Sequence, residues 1–258
     1  MNPKKYGKPP FRVAVVHGGP GAAGEMAPVA RELSAERGVL EPLQTVATLE
    51  GQVAELRNLL ESNGDLPVTL IGFSWGAILS YILTAQHTSC VEKLILVGSP
   101  PFEETSAEHI METRLARLSP KDRKEVMSLM IDLDSPATSD KNRILARFGI
   151  LISKADSYDP LPPESDAMEC RYDIFQGVWE DAREMRSSGA LLELGKKIRC
   201  PVVAIHGEYD PHSYKAVLYP LSPIITNFRF VLLEKCGHRP WIERYARDRF
   251  FAILGNEL

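Results

Sequence analysis

Basic excess is missing from this chain: 30 lysines and arginines stand against 34 aspartates and glutamates, for a formal charge of −4. Without surplus positive charge there is no electrostatic footprint for a nucleic acid. The only basic cluster, Lys4, Lys5 and Lys8, reads as a solvated tail. Long apolar runs are missing too, and none approaches the ~20 residues that a membrane span requires. Met1-Asn2-Pro3 passes toward a strand with no signal-peptide core, so the expected location is the cytoplasm. Cysteine is scarce. The four residues, Cys90, Cys170, Cys200 and Cys236, show no C-x-x-C spacing, which argues against zinc and a disulfide framework and for buried thiols. No Walker lysine follows the glycine turn to cradle a phosphate.

What is present suits a soluble globular enzyme. At 258 residues, 44% hydrophobic and 25% charged, the chain can bury a large core as one domain carrying an insertion. Strands alternate with helices, the pattern of a parallel sheet covered on both faces. Val13-Ala14-Val15-Val16 is a β-branched run, followed by a glycine-rich turn and a helix with Met26, Val29, Ala30 and Leu33 on one face. A weak strand near Val39 to Thr45 and a helix carrying Val53, Leu56 and Leu60 follow. Pro67 to Gly72 and Lys93 to Gly98 are further strands, and two more appear at Pro201 to Ile205 and Phe228 to Leu233. A helix with Ile242, Tyr245, Ala246, Phe250 and Ile253 closes the chain. Six strands joined by right-handed crossovers are the economical topology.

The strand pattern lapses between Pro101 and Lys197, and that interval reads as helical throughout. Ser119-Pro120 is a cap followed by proline at the first helical position, leading into Val126, Met127 and Met130. Leu145, Phe148 and Ile152 line a second helix, Asp159 to Pro163 breaks the pattern, and Met168, Tyr172, Phe175 and Trp179 stripe a third. A helical insertion between two parallel strands is expected above the strand ends, as a lid. The expected division is therefore a core of residues 1–100 and 198–258 with a cap of residues 101–197. Phe148, Tyr172 and Trp179 are candidates for lining its pocket; the alternative is that they form the lid's own core.

Gly72-Phe73-Ser74-Trp75-Gly76 would arise by chance in roughly one chain in ten of this length. Its context gives it meaning. An apolar strand precedes it, and Ala77, Ile78, Tyr81, Ile82 and Ala85 follow at helical spacing. A strand that turns sharply into a helix strains its turn residue, and flanking glycines let neighbouring backbone pass close. Ser74 is thereby presented above the sheet near a helix N-terminus, as a nucleophile. A serine hydroxyl needs a base and an orienting acid to become reactive. Asp210 follows the strand ending at Ile205, and His238 follows the final strand, so both lie at the sheet edge where open α/β sheets bind ligands. His212 competes for the base but stands two residues from Asp210, too close to bridge that acid to Ser74. Glu208 and Glu103 compete for the acid. The oxyanion needs two main-chain donors. Trp75 supplies one, and the turn His17-Gly18-Gly19-Pro20-Gly21 the other, with Gly19 first choice and Gly18 second.

On these residues the chain resembles the α/β-hydrolase family. The His17 to Gly21 turn taken with Gly72 to Gly76 resembles its proline iminopeptidase branch, over roughly residues 1–100 and 200–258. The resemblance implies an α/β-hydrolase fold with a mainly parallel sheet, the two leading strands missing, and a helical lid. It implies Ser74 as nucleophile, Asp210 as acid, His238 as base, Gly19 and Trp75 as oxyanion donors, and no cofactor. The segment Val39 to Leu49 lacks the aspartate-arginine-glycine turn usual in that branch. Iminopeptidases hold a substrate's amino terminus with lid carboxylates, and Glu164, Glu169, Glu180 and Glu184 are available here. The expected reaction is hydrolysis of a small carboxyl ester or amide through an acyl-enzyme. An aminopeptidase of the iminopeptidase kind is the close rival. A ligand-binding member without turnover is the alternative from another class, and a lyase or cofactor-free haloperoxidase would use the same residues.

Overall fold

The computed structural model describes residues 2–107, 109–162 and 169–258. Its strands are β1 (Lys4–Tyr6), β2 (Val13–Val16), β3 (Ala22–Ala23), β4 (Val39–Glu41), β5 (Val68–Phe73), β6 (Val91–Val97), β7 (Glu169–Cys170), β8 (Val202–Gly207) and β9 (Phe228–Leu233). Its helices are α1 (Ala27–Leu33), α2 (Leu49–Asn63), α3 (Trp75–Gln86), α4 (Ile110–Arg117), α5 (Pro120–Asp134), α6 (Lys141–Asp156), α7 (Tyr172–Ser187), α8 (Ala190–Glu193), α9 (Lys215–Leu221) and α10 (Arg247–Glu257).

One sheet of seven strands runs in the order β1-β4-β2-β5-β6-β8-β9. Every neighbouring pair is parallel except β1 with β4. All the expected strands are there, but the count of six is corrected to seven. The extra strand is β1, so one leading strand is present, and Lys4 and Lys5 belong to it rather than to a solvated tail. Its lysines are exposed, as suits a sheet edge that must not recruit a second chain.

Period-two alternation assigns the strand side chains to two layers. Ala14, Val16, Leu70, Leu94, Leu96, Val202 and Ala204 meet Val53, Leu56 and Leu60 of α2 and Ile78 and Ile82 of α3. Val13, Val15, Ile71, Phe73, Ile95, Val97, Val203 and Ile205 meet Met26 just before α1, Val29 and Leu33 of α1, and Phe250 and Leu254 of α10. Every residue of β2, β5 and β8 is buried, which is why these strands read as unbroken apolar runs. Each aliphatic side chain so removed from water contributes about 1.5–3 kcal/mol.

The interval between β6 and β8 behaves in two ways. α5 and α6 enclose Leu118, Val126, Leu151, Ile152 and Ala155, with Phe148 packed against them. α5 begins as its sequence indicates, with Ser119 Oγ accepting the Asp122 amide at 3.1 Å and Pro120 in its first turn. α7 instead sinks Ile174, Val178 and Ala182 into the cluster shared by α2 and α3. Gly177 permits this approach, because a Cβ there would lie 2.2 Å from the Ala47 carbonyl oxygen. The interval is not purely helical: β7 pairs antiparallel with β3, Ala22 opposite Cys170 and Ala23 opposite Glu169. A two-residue ribbon carries no periodicity, so nothing in the sequence announces it. Met168, expected on the third helical stripe, lies outside the described residues.

The closing helix is shorter than its apolar pattern indicates. Pro240–Ile242 form a single 3₁₀ turn, Tyr245 is exposed, and α10 starts only at Arg247. No helix among the described residues is long and apolar enough to cross a membrane.

Candidate active site

Ser74 stands between β5 and α3 with φ 51° and ψ −120°. Only it and Lys235 have positive φ among the described non-glycine residues. Such a backbone costs on the order of 1–3 kcal/mol. The flanking glycines are there because the chain folds onto itself. A Cβ at Gly72 would lie 2.2 Å from the Gly76 carbonyl oxygen, and one at Gly76 would lie 2.3 Å from that of Val16 and 2.5 Å from that of His17. The elbow is thus pressed against the turn after β2. The Ser74 hydroxyl makes no capping bond. The Trp75 amide, in the first turn of α3, has no intrahelical acceptor. Its indole donates to Gln52 Oε1 at 2.9 Å, which fixes the start of the helix.

The glycine turn is held by His17. The Gln44 amide donates to His17 Nε2 at 3.0 Å, and His17 Nδ1 lies 2.9 Å from the Gly18 carbonyl oxygen, so the ring is neutral with its proton on Nδ1. Burial drives its pKa down to about 4. Gly19 has φ 108°, a conformation that favours glycine. Gly21 abuts the helical interval: the Arg171 amide donates to its carbonyl at 3.0 Å.

Asp210 lies in the turn after β8, its amide donating to Gly207 O at 3.2 Å. His238 Nδ1 donates to Asp210 Oδ2 at 2.7 Å, leaving Nε2 free to serve as a base. The His212 amide and ring Nδ1 each donate to Asp210 Oδ1 at 2.9 Å. His206 Nε2 donates to the His212 carbonyl at 2.7 Å and lies 3.4 Å from Asp210 Oδ2. Burial alone would raise the Asp210 pKa, but the imidazoles of His238, His212 and His206 hold it well below the carboxylate range. Burial alone would lower His238, but Asp210 outweighs it and the net shift is upward.

His238 reaches the elbow through two contacts. Its ring centroid is 4.8 Å from that of Phe73, the residue before Ser74. The Ser74 amide donates to Val97 O at 2.9 Å, and the next residue, Gly98, lies under the imidazole, where a Cβ would come within 3.1 Å of Nδ1. The end of β8 and the loop after β9 therefore bring Asp210 and His238 together, and the ends of β5 and β6 set Phe73 and Gly98 against the His238 ring.

The loop of His238 is anchored by Glu243, fully buried. Its Oε1 accepts the amides of Gly237 at 3.0 Å and Tyr158 at 2.9 Å, and its Oε2 accepts that of Asp159 at 2.8 Å. The His238 amide donates to Asp156 O at 2.9 Å, and Arg114 grips the Asp156 carboxylate in a fork at 2.8 and 2.7 Å. Glu243→Gln turns one acceptor into a donor facing an N–H, a loss of about 2 kcal/mol. The melting temperature should fall by about 5 °C; an unchanged melt would show that these amides do not need the carboxylate.

Glu208 and Glu103, the rival acids, are both exposed. The three aromatics expected to line a pocket make other contacts. Phe148 is half-buried and packs against the α5–α6 cluster. Tyr172 donates its hydroxyl to Leu133 O at 3.0 Å, at the end of α5. Trp179 is 45% exposed and stacks on Phe175 at 5.7 Å. Of the carboxylates considered for an amino terminus, Glu180 and Glu184 are exposed on α7, while Glu164 and the Glu169 side chain lie outside the described residues. Glu25 was not singled out from sequence, yet it stands at the site. The Gly18 main chain hydrogen-bonds its carboxylate, and burial, against the opposing charges of Arg239 and His238, raises its pKa. Its only signal in the sequence is an acidic residue four positions past the glycine turn.

Residues 13–253 match the Alpha/beta hydrolase family. No curated protein matches the chain in sequence. Among solved structures, VinJ superposes with a TM-score of 0.70 at 17% identity, over 99% of this chain and 93% of its own. A meta-cleavage product hydrolase from Pseudomonas fluorescens IP01 gives 0.66 at 18% identity, over 99% and 94%. The thioesterase domain from the curacin biosynthetic pathway gives 0.63 at 19% identity, over 98% and 93%. At these identities the likeness is one of fold.

Proposed function

Since the chain belongs to the alpha/beta hydrolase family, we propose that it is a serine hydrolase that cleaves a small carboxyl ester or amide through an acyl-enzyme on Ser74. The observation that carries this reading is the strained Ser74, φ 51°, beside the 2.7 Å pair of His238 and Asp210. His238 Nε2 takes the proton as Ser74 Oγ attacks the carbonyl carbon. Asp210 keeps the imidazole in the Nδ1–H tautomer and stabilises the imidazolium. The oxyanion is received by the amides of Trp75 and Gly19. Gly19 is favoured over Gly18, whose main chain is engaged by Glu25. Collapse breaks the bond to the alkoxide or amine, which leaves with the proton from His238. Water, deprotonated by the same Nε2, then attacks the acyl carbon and restores Ser74.

In this reading the helices between β6 and β8 act as a cap, and α4 and α6 carry the part that touches the His238 loop. Specificity resides there. An aminoacyl amide draws less support than an ester, because Glu180 and Glu184 face solvent. A lipase from Acinetobacter baumannii, described as putative, and the curacin thioesterase are structural neighbours, so the panel should pair p-nitrophenyl acyl esters with acyl thioesters and aminoacyl anilides. Turnover of esters or thioesters is expected, and activity confined to anilides would replace this reading by the aminopeptidase. A fluorophosphonate probe should label the wild type and spare Ser74→Ala; equal labelling of both would remove Ser74 from the mechanism. Ligand binding with no turnover of any substrate in the panel would favour a binding protein.

A further inference from the structure

Two imidazoles, not one, lean on the buried carboxylate of Asp210. Oδ2 takes His238 Nδ1 at 2.7 Å, while Oδ1 takes both the main-chain N–H and the ring Nδ1 of His212 at 2.9 Å. The two rings lie 4.7 Å apart at 40°. His212 is in turn fixed by its own carbonyl, which accepts His206 Nε2 at 2.7 Å. Holding a base requires only one carboxylate oxygen and one imidazole. The second imidazole therefore calls for its own explanation.

We propose that His212 is a positioning residue for the reaction, a fixed donor that occupies Oδ1 of Asp210 and so commits Oδ2 to His238. The inference rests on the Ser74, His238 and Asp210 reading above. Its physics is that of one anion shared between donors. A carboxylate that accepts several hydrogen bonds has its charge dispersed and attracts a neighbouring proton less. His212 is suited to the task because burial keeps it neutral down to about pH 4, so it donates without adding a charge near the base. Without its ring proton, Asp210 would pull harder on the His238 imidazolium and the base would be slower to shed its proton.

The consequence is directional. Activity requires neutral His238, so the acidic limb of kcat/KM follows the His238 pKa. Losing the His212 donor should move that limb upward by about one pH unit. The other ionisable groups facing His238 stay in place: Asp210 and His206 from β8 and its turn, Asp156 of α6, Arg114 of α4, and Glu25 after the glycine turn. They set the baseline common to all variants.

Three substitutions test this. With the main-chain N–H of residue 212 left in place, His212→Ala removes the ring and its donor; His212→Phe keeps a ring against His238 but no ring N–H; His212→Asn places an amide N–H near the position of Nδ1. The imidazole Cε1–H of His238, followed by NMR across a pH series, reads its pKa without any turnover. The acidic limb of ester hydrolysis gives the same quantity in action. The expected result is an upward shift of about one pH unit in His212→Ala and His212→Phe, reversed in His212→Asn. An unmoved His238 titration in the donor-less variants, or an equal shift in His212→Asn, overturns the proposal. Failure of both donor-less variants to fold while His212→Asn folds would also overturn it, in favour of a role in stability alone. Because the NMR titration needs no substrate, failure here is separable from failure of the acyl-enzyme, which fluorophosphonate labelling of Ser74 judges.

Discussion

Replacing Ser74 with alanine should lower ester hydrolysis by at least ~10⁴-fold while leaving the fold intact. The loss is large because Oγ is the only protein atom in the scheme that becomes bonded to the acyl carbon. In the proposed scheme the main-chain donors at Trp75 and Gly19 still polarise the carbonyl, so a residue of catalysis over water should survive. Stability offers a second readout. Alanine at φ 51° keeps the backbone strain, whereas Ser74→Gly releases it. The glycine variant should therefore be equally inactive yet more stable than Ser74→Ala, by about 1 kcal/mol. Chemical denaturation of the two variants, beside stopped or continuous ester assays, checks both halves. A Ser74→Ala protein within tenfold of wild type would end the acyl-enzyme scheme.

Acid should destabilise the protein well before its carboxylates titrate. His17 and His212 have folded-state pKa values of about 4 against an ordinary 6.5, because burial disfavours their charged forms. Between those values the unfolded chain binds protons that the folded chain refuses, so stability falls as pH falls. Each position accounts for roughly 3 kcal/mol by pH 4. His206, lowered by burial, acts in the same direction. Two groups oppose the trend. Glu25 is raised by burial, so it protonates first in the folded state and adds stability as the pH falls through its folded pKa. His238 is raised by Asp210 against its burial, so its contribution is full below 6.5 and is lost only as pH rises through its folded value. Asp210, held low by its imidazoles against burial, matters only below the ordinary carboxylate pKa. Urea midpoints measured from pH 7 to pH 4 should thus drop steeply, and His17→Gln, which cannot titrate, should flatten the slope whatever its own stability. A flat profile in the wild type would show that these rings are not kept neutral.

The central strands were legible because a parallel sheet covered on both faces leaves continuous apolar runs, as in β5. The elbow was legible for a stricter reason: around a serine at positive φ, the positions two before and two after it meet carbonyl oxygens and admit only glycine. β1 was not legible, since three polar or exposed residues at a sheet edge look like a tail until the antiparallel bonds to β4 are seen. Tyr172 and Trp179 show the limit of helical spacing. A stripe of aromatics predicts that a face is used, not whether substrate or another helix uses it. Sequence distance misled in one case. His212 is too near Asp210 to bridge it to Ser74, but that nearness is what lets it take the other oxygen. Glu25 and Glu243 were silent because a single carboxylate gains meaning only from the amides that converge on it.

The small ribbon of β3 and β7 has a mechanical consequence. The main chain of Arg171 donates to Gly21 at 3.0 Å, and a Cβ at Gly21 would already lie 2.6 Å from the Arg171 carbonyl oxygen. Hydrogen bonds of this kind tolerate only a few tenths of an ångström before they weaken. The glycine turn and the start of α7 therefore share their degrees of freedom, like two links on one hinge pin. A displacement of α7 would carry Gly21 with it and tilt the Gly19 amide two residues away. The aim of that amide and the seat of α7 are a single coordinate.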